Sequence, residues 1–331
     1  MKRTILAVLT LLLAARVNVR AQAEPEVIYG DDDRLDLYQV ENTKVLSWAE
    51  STVGLFQSSD VTFTRVRSGF SFKKKKANLR TEPYGPGYNL CKDEPFYEQD
   101  SGAFCSGSLI APDILMTAGH CVVSESACKN TKFVFGFSIK KKGQSPKTVD
   151  AGEVYGCQAL LGREQVNSGQ DWALVRLDRP VADHKPLAVN LGGAVTNGTP
   201  LFVIGHPAGL PTKVAGGAKV RDASPEGYFI ANLDTYGGNS GSAVFNGKSG
   251  QVEGILVRGE TDYVYRGNCK VSNVCPDEGC RGEDVTKMSS VLPHIPPQGP
   301  ATIASRVVPI APQLQALLLK VSEKAGFDTP Q

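Results

Sequence analysis

Two things are scarce in this chain: long apolar runs and helical periodicity. The most apolar stretch, Ile5 to Ala15, has 11 residues, against the roughly 20 that a membrane-spanning helix needs. It follows a basic start (Lys2, Arg3) and precedes a small-residue cleavage pattern, Ala21-Gln22-Ala23. Together these predict a secretory signal over residues 1–23, with no stable membrane anchor after its removal. Histidine is also scarce. The four present (His120, His184, His206, His294) show no metal-ligand spacing, and Cys275 and Cys280 lack the close pairing of a zinc knuckle. No internal repeat is present, so a solenoid is excluded.

Charge gives little. The full chain carries 36 basic and 34 acidic residues, a net charge of +2. Loss of Lys2, Arg3, Arg16 and Arg20 with the signal leaves 32 against 34, or −2. The basic runs Lys73–Lys76 and Lys140–Lys142 have no interleaved aromatics, so they read as solvated loops and no nucleic-acid partner is expected. All eight cysteines (Cys91, Cys105, Cys121, Cys128, Cys157, Cys269, Cys275, Cys280) follow the signal. An even count in an exported chain predicts disulfides, with an extracellular or periplasmic location.

The sequence alternates short apolar runs with Gly, Pro and Asn. Leu109-Ile110 and Ile114-Leu115-Met116 flank Ala111-Pro112-Asp113 as a hairpin. Further strands are expected at 132–137, 173–177, 201–204, 228–231, 242–245 and 252–257, a spacing that predicts a sandwich or barrel. Gln313–Lys324 is the best helix candidate and Asp31–Trp48 a weaker one. Residues 65–104 and Cys269–Cys280 read as surface insertions, and 295–303 as a Pro-rich surface segment.

Chemistry concentrates in three segments. A serine hydroxyl is a weak nucleophile, and it needs a base, a group that orients the base, and donors for the developing oxyanion. Gly237-Gly238-Asn239-Ser240-Gly241-Ser242 offers a serine in a glycine turn, with the Gly238 and Ser240 amides as oxyanion donors. Alone it is also an ordinary Gly-rich turn. Thr117-Ala118-Gly119-His120-Cys121 offers the base after an apolar strand, and Cys105 lies 16 residues before Cys121. A bridge between them would hold the His120 loop, stabilising by about 3 kcal/mol. Asp171, at the start of Asp171-Trp172-Ala173-Leu174, offers the carboxylate. Asp178, beside Pro180, is the rival and reads as a turn residue.

The ordered motifs TAGHC, DxAL and GGNSGS, over roughly residues 103–292, resemble chymotrypsin-like serine peptidases. The resemblance implies an all-β fold of two six-stranded antiparallel barrels, roughly 27–180 and 181–310, within a domain 27–331 that ends in the C-terminal helix. It implies catalytic roles for His120, Asp171 and Ser240, with the first two in the first barrel and Ser240 in the second. It also implies a Cys105–Cys121 bridge, while the other six cysteines keep 15 possible connectivities. Protein or peptide substrates, a monomer, and no metal or cofactor are expected. Few residues follow the barrels, which disfavours an appended peptide-binding domain. A non-catalytic binding relative on the same scaffold is the alternative from another class.

Asp234-Thr235-Tyr236 before the glycine turn and Val27-Ile28-Tyr29-Gly30 are similar to bacterial glutamyl endopeptidases. That likeness implies a preference for Glu or Asp before the scissile bond, with Thr235 as a binder. Leu256 stands where that group has a pocket histidine. Arg258, two residues on, would share its face by strand alternation and could pair with a carboxylate; the plainer reading is a rim charge. Asp234, six residues before Ser240, instead suits Lys or Arg. Asn239 is neutral, so the amine–aspartate activation of trypsin-type zymogens is not expected. Glu24-Pro25-Glu26 is a short propeptide that a Glu-cleaving enzyme would itself remove, freeing Val27.

Overall fold

The computed structural model describes residues 27–66 and 74–297. The signal, residues 24–26, the Gln313–Lys324 helix and most of the Pro-rich segment lie outside the described residues.

Twelve strands form two closed barrels. The first comprises β1 (Thr52–Gln57), β2 (Cys105–Ala111), β3 (Ile114–Thr117), β4 (Thr131–Val134), β5 (Val154–Gln165) and β6 (Asp171–Leu177). Its ring order is β4-β5-β6-β3-β2-β1, closed by β1 pairing with β4. The second comprises β7 (Pro200–Gly205), β8 (Lys213–Asp222), β9 (Tyr228–Ala231), β10 (Ala243–Asn246), β11 (Val252–Arg258) and β12 (Glu283–Lys287). It runs β7-β10-β11-β12-β9-β8 and closes through β7–β8. All of these pairings are antiparallel. This is the chymotrypsin-like architecture. Closure removes exposed strand edges, and inward residues such as Leu115, Leu174, Phe202 and Ile255 fill a core that spans both barrels.

Two expectations need correction. Asp31–Trp48 is not one helix: Arg34–Asp36 is a strand paired with β8, Leu37–Gln39 is a single 3-10 turn, and the α-helix α1 is confined to Thr43–Ala49. Asn42 sets its start, since the Asn42 side chain accepts from the Lys44 and Val45 amides, while the apolar spacing before it is too irregular to form a helical stripe. Trp48 from α1 stacks on Phe202 and Phe245. The stretch 65–104 is likewise more than a loop, because Lys74–Leu79 pairs with Val61–Val66 and with Thr148–Asp150. Buried Val61, Ala77 and Leu79 anchor that small sheet in an apolar cluster with Phe137.

The cysteines form four disulfides: Cys91–Cys269, Cys105–Cys121, Cys128–Cys157 and Cys275–Cys280. Cys91–Cys269 ties the polar segment after Leu79 to a hairpin, Tyr263–Arg266 with Cys269–Ser272. The N-terminal segment belongs with the second barrel's surroundings. Ile28–Tyr29 pairs in parallel with Val274–Cys275, and Arg34–Asp36 runs beside β8. A buried ion pair, Lys213 Nζ to Asp36 Oδ1 at 2.7 Å, locks that second contact.

Candidate active site

Antiparallel pairing of β3 with β6 sets the end of one strand beside the start of the other, with Thr117 opposite Ala173. His120 therefore hangs in the turn after β3, next to Asp171, the first residue of β6. Asp171 Oδ2 lies 2.7 Å from His120 Nδ1. Its Oδ1 accepts the Gly119 amide at 2.5 Å and the His120 amide at 3.1 Å. With Nδ1 donating to the carboxylate, Nε2 carries the lone pair. Gly119 is needed here, because a Cβ would meet the Glu164 carbonyl at 2.2 Å and Asp171 Oδ1 at 2.9 Å. Thr286 supports the other side of Asp171. Its hydroxyl accepts the Asp171 amide at 2.9 Å and donates to the Asp171 carbonyl at 3.0 Å.

Ser240 sits in the turn between β9 and β10. The Asn239 amide donates to the Tyr236 carbonyl at 2.9 Å, and the Ser242 amide to the Asn239 carbonyl at 2.8 Å. Gly238 and Gly241 have φ of 107° and 92°, values that glycine reaches without strain. The Ser240 carbonyl lies 3.6 Å from Cys121 Sγ, so the turn abuts the residue that follows His120. Ser240 Oγ and His120 Nε2 are both buried and both lack a hydrogen-bond partner. Among the described residues, no protein acceptor takes the Gly238 or Ser240 amide. Asp178 lies elsewhere: it accepts the Gly156 amide at 2.9 Å and pairs with Arg179. Cys105, His120 and Cys121 are close enough to suggest a metal cluster, but the two sulfurs are bonded to each other and offer no thiolate. A surface concavity of about 470 Å³ is lined by Phe63, Lys75, Lys132, Asp178 and Arg179 and includes none of His120, Asp171 and Ser240.

The residues expected to choose the substrate side chain are placed less simply. Asp234 is buried under the N-terminal segment, its Oδ1 accepting the Tyr29 amide at 2.7 Å and its Oδ2 the Asp33 amide at 2.8 Å. Burial, with Asp32 and Asp33 nearby, pushes its carboxyl well above the usual range. The Thr235 amide donates to the Val27 carbonyl at 3.3 Å, and Thr235 Oγ1 is buried without a partner. Arg258 does not share the face of Leu256. A bulge between them breaks the alternation, and Arg258 pairs with Asp284 at 2.8 Å while also donating to the Gly169 carbonyl.

Sequence reasoning passed over Ser106, Thr286 and Glu283. Ser106 could have been marked by its position after Cys105. Glu283 carries no motif, yet it is fully buried against Gly259, takes a hydrogen bond from the Tyr29 hydroxyl at 3.1 Å, and is pushed well above the carboxylate range by burial.

Residues 105–255 match the family described as a trypsin-like peptidase domain. The chain is similar to human chymotrypsin-like elastase family member 3B, 33% identical over 116 residues, which is 33% of this chain and 42% of the relative. It is also similar to proproteinase E of Bos taurus, 34% identical over 117 residues, covering 33% and 45%. The chain thus spans less than half the length of these curated relatives. Among solved structures it resembles a Glu endopeptidase in complex with MPD, with a TM-score of 0.47 and 18% identity, covering 81% of this chain and 97% of the other. It also resembles the VesB protease of Vibrio cholerae, with a TM-score of 0.45 and 15% identity, covering 81% and 66%.

Proposed function

We propose that the chain is an exported serine endopeptidase. Ser240 Oγ attacks the scissile carbonyl carbon while His120 Nε2 takes the hydroxyl proton, and Asp171 holds the imidazole in the right tautomer. The Gly238 and Ser240 amides stabilise the oxyanion. His120 then protonates the leaving amine, and water, activated by the same nitrogen, releases the acyl group. No metal or cofactor enters these steps. The observation that carries the reading is the 2.7 Å contact of His120 Nδ1 with Asp171 Oδ2, which leaves Nε2 as a base. Casein cleavage by the wild-type chain and its loss in Ser240→Ala test it, since loss of a triad member costs up to about 10⁶ in turnover. No clearing by the wild-type chain would favour a non-catalytic role, and equal clearing by both chains would remove Ser240 as the nucleophile.

For specificity, the proposal is a preference for Glu or Asp. The rival, Lys or Arg held by Asp234, is weakened because both carboxyl oxygens already accept backbone amides. Burial favours the neutral forms of Asp234 and Glu283, which then do not repel an acidic side chain. Thr235 Oγ1 is the free hydroxyl, and cleavage after Glu26 would create a cationic amine at Val27, whose carbonyl bonds Thr235. A peptide-library cleavage profile decides: cuts after Lys or Arg would reverse the assignment. Arg258, paired with Asp284, supports the wall instead of the substrate. Export fits four disulfides, and no helix among the described residues is long and apolar enough to cross a membrane.

A further inference from the structure

One side chain from the first barrel grips the nucleophile turn of the second. Ser106, the second residue of β2, is fully buried. Its amide donates to the Ser240 carbonyl at 2.9 Å. Its hydroxyl accepts the His206 amide at 2.9 Å and donates to the Gly238 carbonyl at 2.8 Å. A serine hydroxyl has one proton, and here it is committed to Gly238. The two carbonyls that flank Asn239 are therefore both held by Ser106.

That grip matters because of where Gly238 sits. At φ 107° a glycine has wide rotational freedom, and rotation about its backbone would swing the Gly238 amide away from a substrate carbonyl. The 206–209 turn closes on the other side, where a Cβ on Gly238 would meet the Gly209 amide nitrogen at 2.7 Å and the His206 carbonyl at 2.8 Å. The Ser106 hydroxyl links that turn to Gly238 through the His206 amide.

We infer that Ser106 is a positioning residue that holds the Gly238 and Ser240 amides in register as oxyanion donors. The inference rests on the serine-peptidase reading above. Oxyanion donors act only if preorganised, and loss of one lowers turnover by about 10²–10³. Loss of the group that aims them should cost somewhat less.

The test compares the full chain with Ser106→Ala and Ser106→Thr on a peptide ester and a peptide aldehyde inhibitor. In Ser106→Ala, kcat is expected to fall about 10- to 100-fold with KM within about threefold, and aldehyde binding to weaken by a similar factor. Ser106→Thr, which keeps the hydroxyl, should recover most of the loss. Unchanged kcat in the alanine chain, an effect on KM alone, or equal losses in both variants would overturn the inference. If the alanine chain gives no cooperative melt, Ser106→Cys, with its weaker donor, replaces it and an intermediate loss in kcat is expected; wild-type kcat there would overturn the inference equally. An inert wild-type chain would instead sink the peptidase reading.

Discussion

The backbone amide of Tyr29 donates to Asp234 Oδ1 over 2.7 Å, and that of Asp33 to Oδ2 over 2.8 Å. The acid six residues before Ser240 is thus a clasp for the N-terminal segment. Asp234→Asn is expected to leave the preferred residue before the scissile bond unchanged. It should lower stability by about 1–3 kcal/mol, since one amide loses its acceptor. A collapse of Lys or Arg cleavage in this variant, read from the peptide profile, would restore Asp234 as the binder.

Gly119 lets the His120 turn approach Asp171. Gly119→Ala should therefore push the imidazole off the carboxylate, since the new methyl would lie 2.2 Å from the Glu164 carbonyl. A fall in kcat of about 10² or more is expected, with destabilisation of about 1–3 kcal/mol from overpacking. Near wild-type kcat would show that the contact is not needed.

His206 is fully buried between Phe137 and the Leu210 carbonyl, and burial pushes its pKa down from 6.5 to about 4. The unfolded chain binds the proton more readily, so stability from this group is complete above pH 6.5 and falls as the pH drops toward 4. The loss is up to about 3 kcal/mol. Asp33, raised to about 6 from 3.8, acts in the opposite sense, gaining stability as pH falls through that window. Chemical denaturation of His206→Gln beside wild type isolates the histidine. The difference between them should shrink as pH falls from 6.5 to 4, and a constant difference would contradict it.

Much of the fold could be read from the chain. Ile114-Leu115-Met116 and Ala173-Leu174-Val175 are buried strands with little alternation, and their adjacency brings His120 to Asp171. What escaped depends on long-range contacts. The N-terminal segment pairs with residues more than 170 positions away in β8 and the 274–275 strand, so no local pattern announces it. Arg258 was misread because a bulge is a property of paired strands, and the bulge moved it onto Asp284. Glu283 and Thr286 take their places from the β12 register alone.

The most direct test of the account is active-site labelling with a fluorophosphonate, followed by peptide mapping. The account predicts one label per chain, on Ser240, with labelling lost in Ser240→Ala and strongly slowed in His120→Ala. Undiminished labelling or hydrolysis in Ser240→Ala would contradict it.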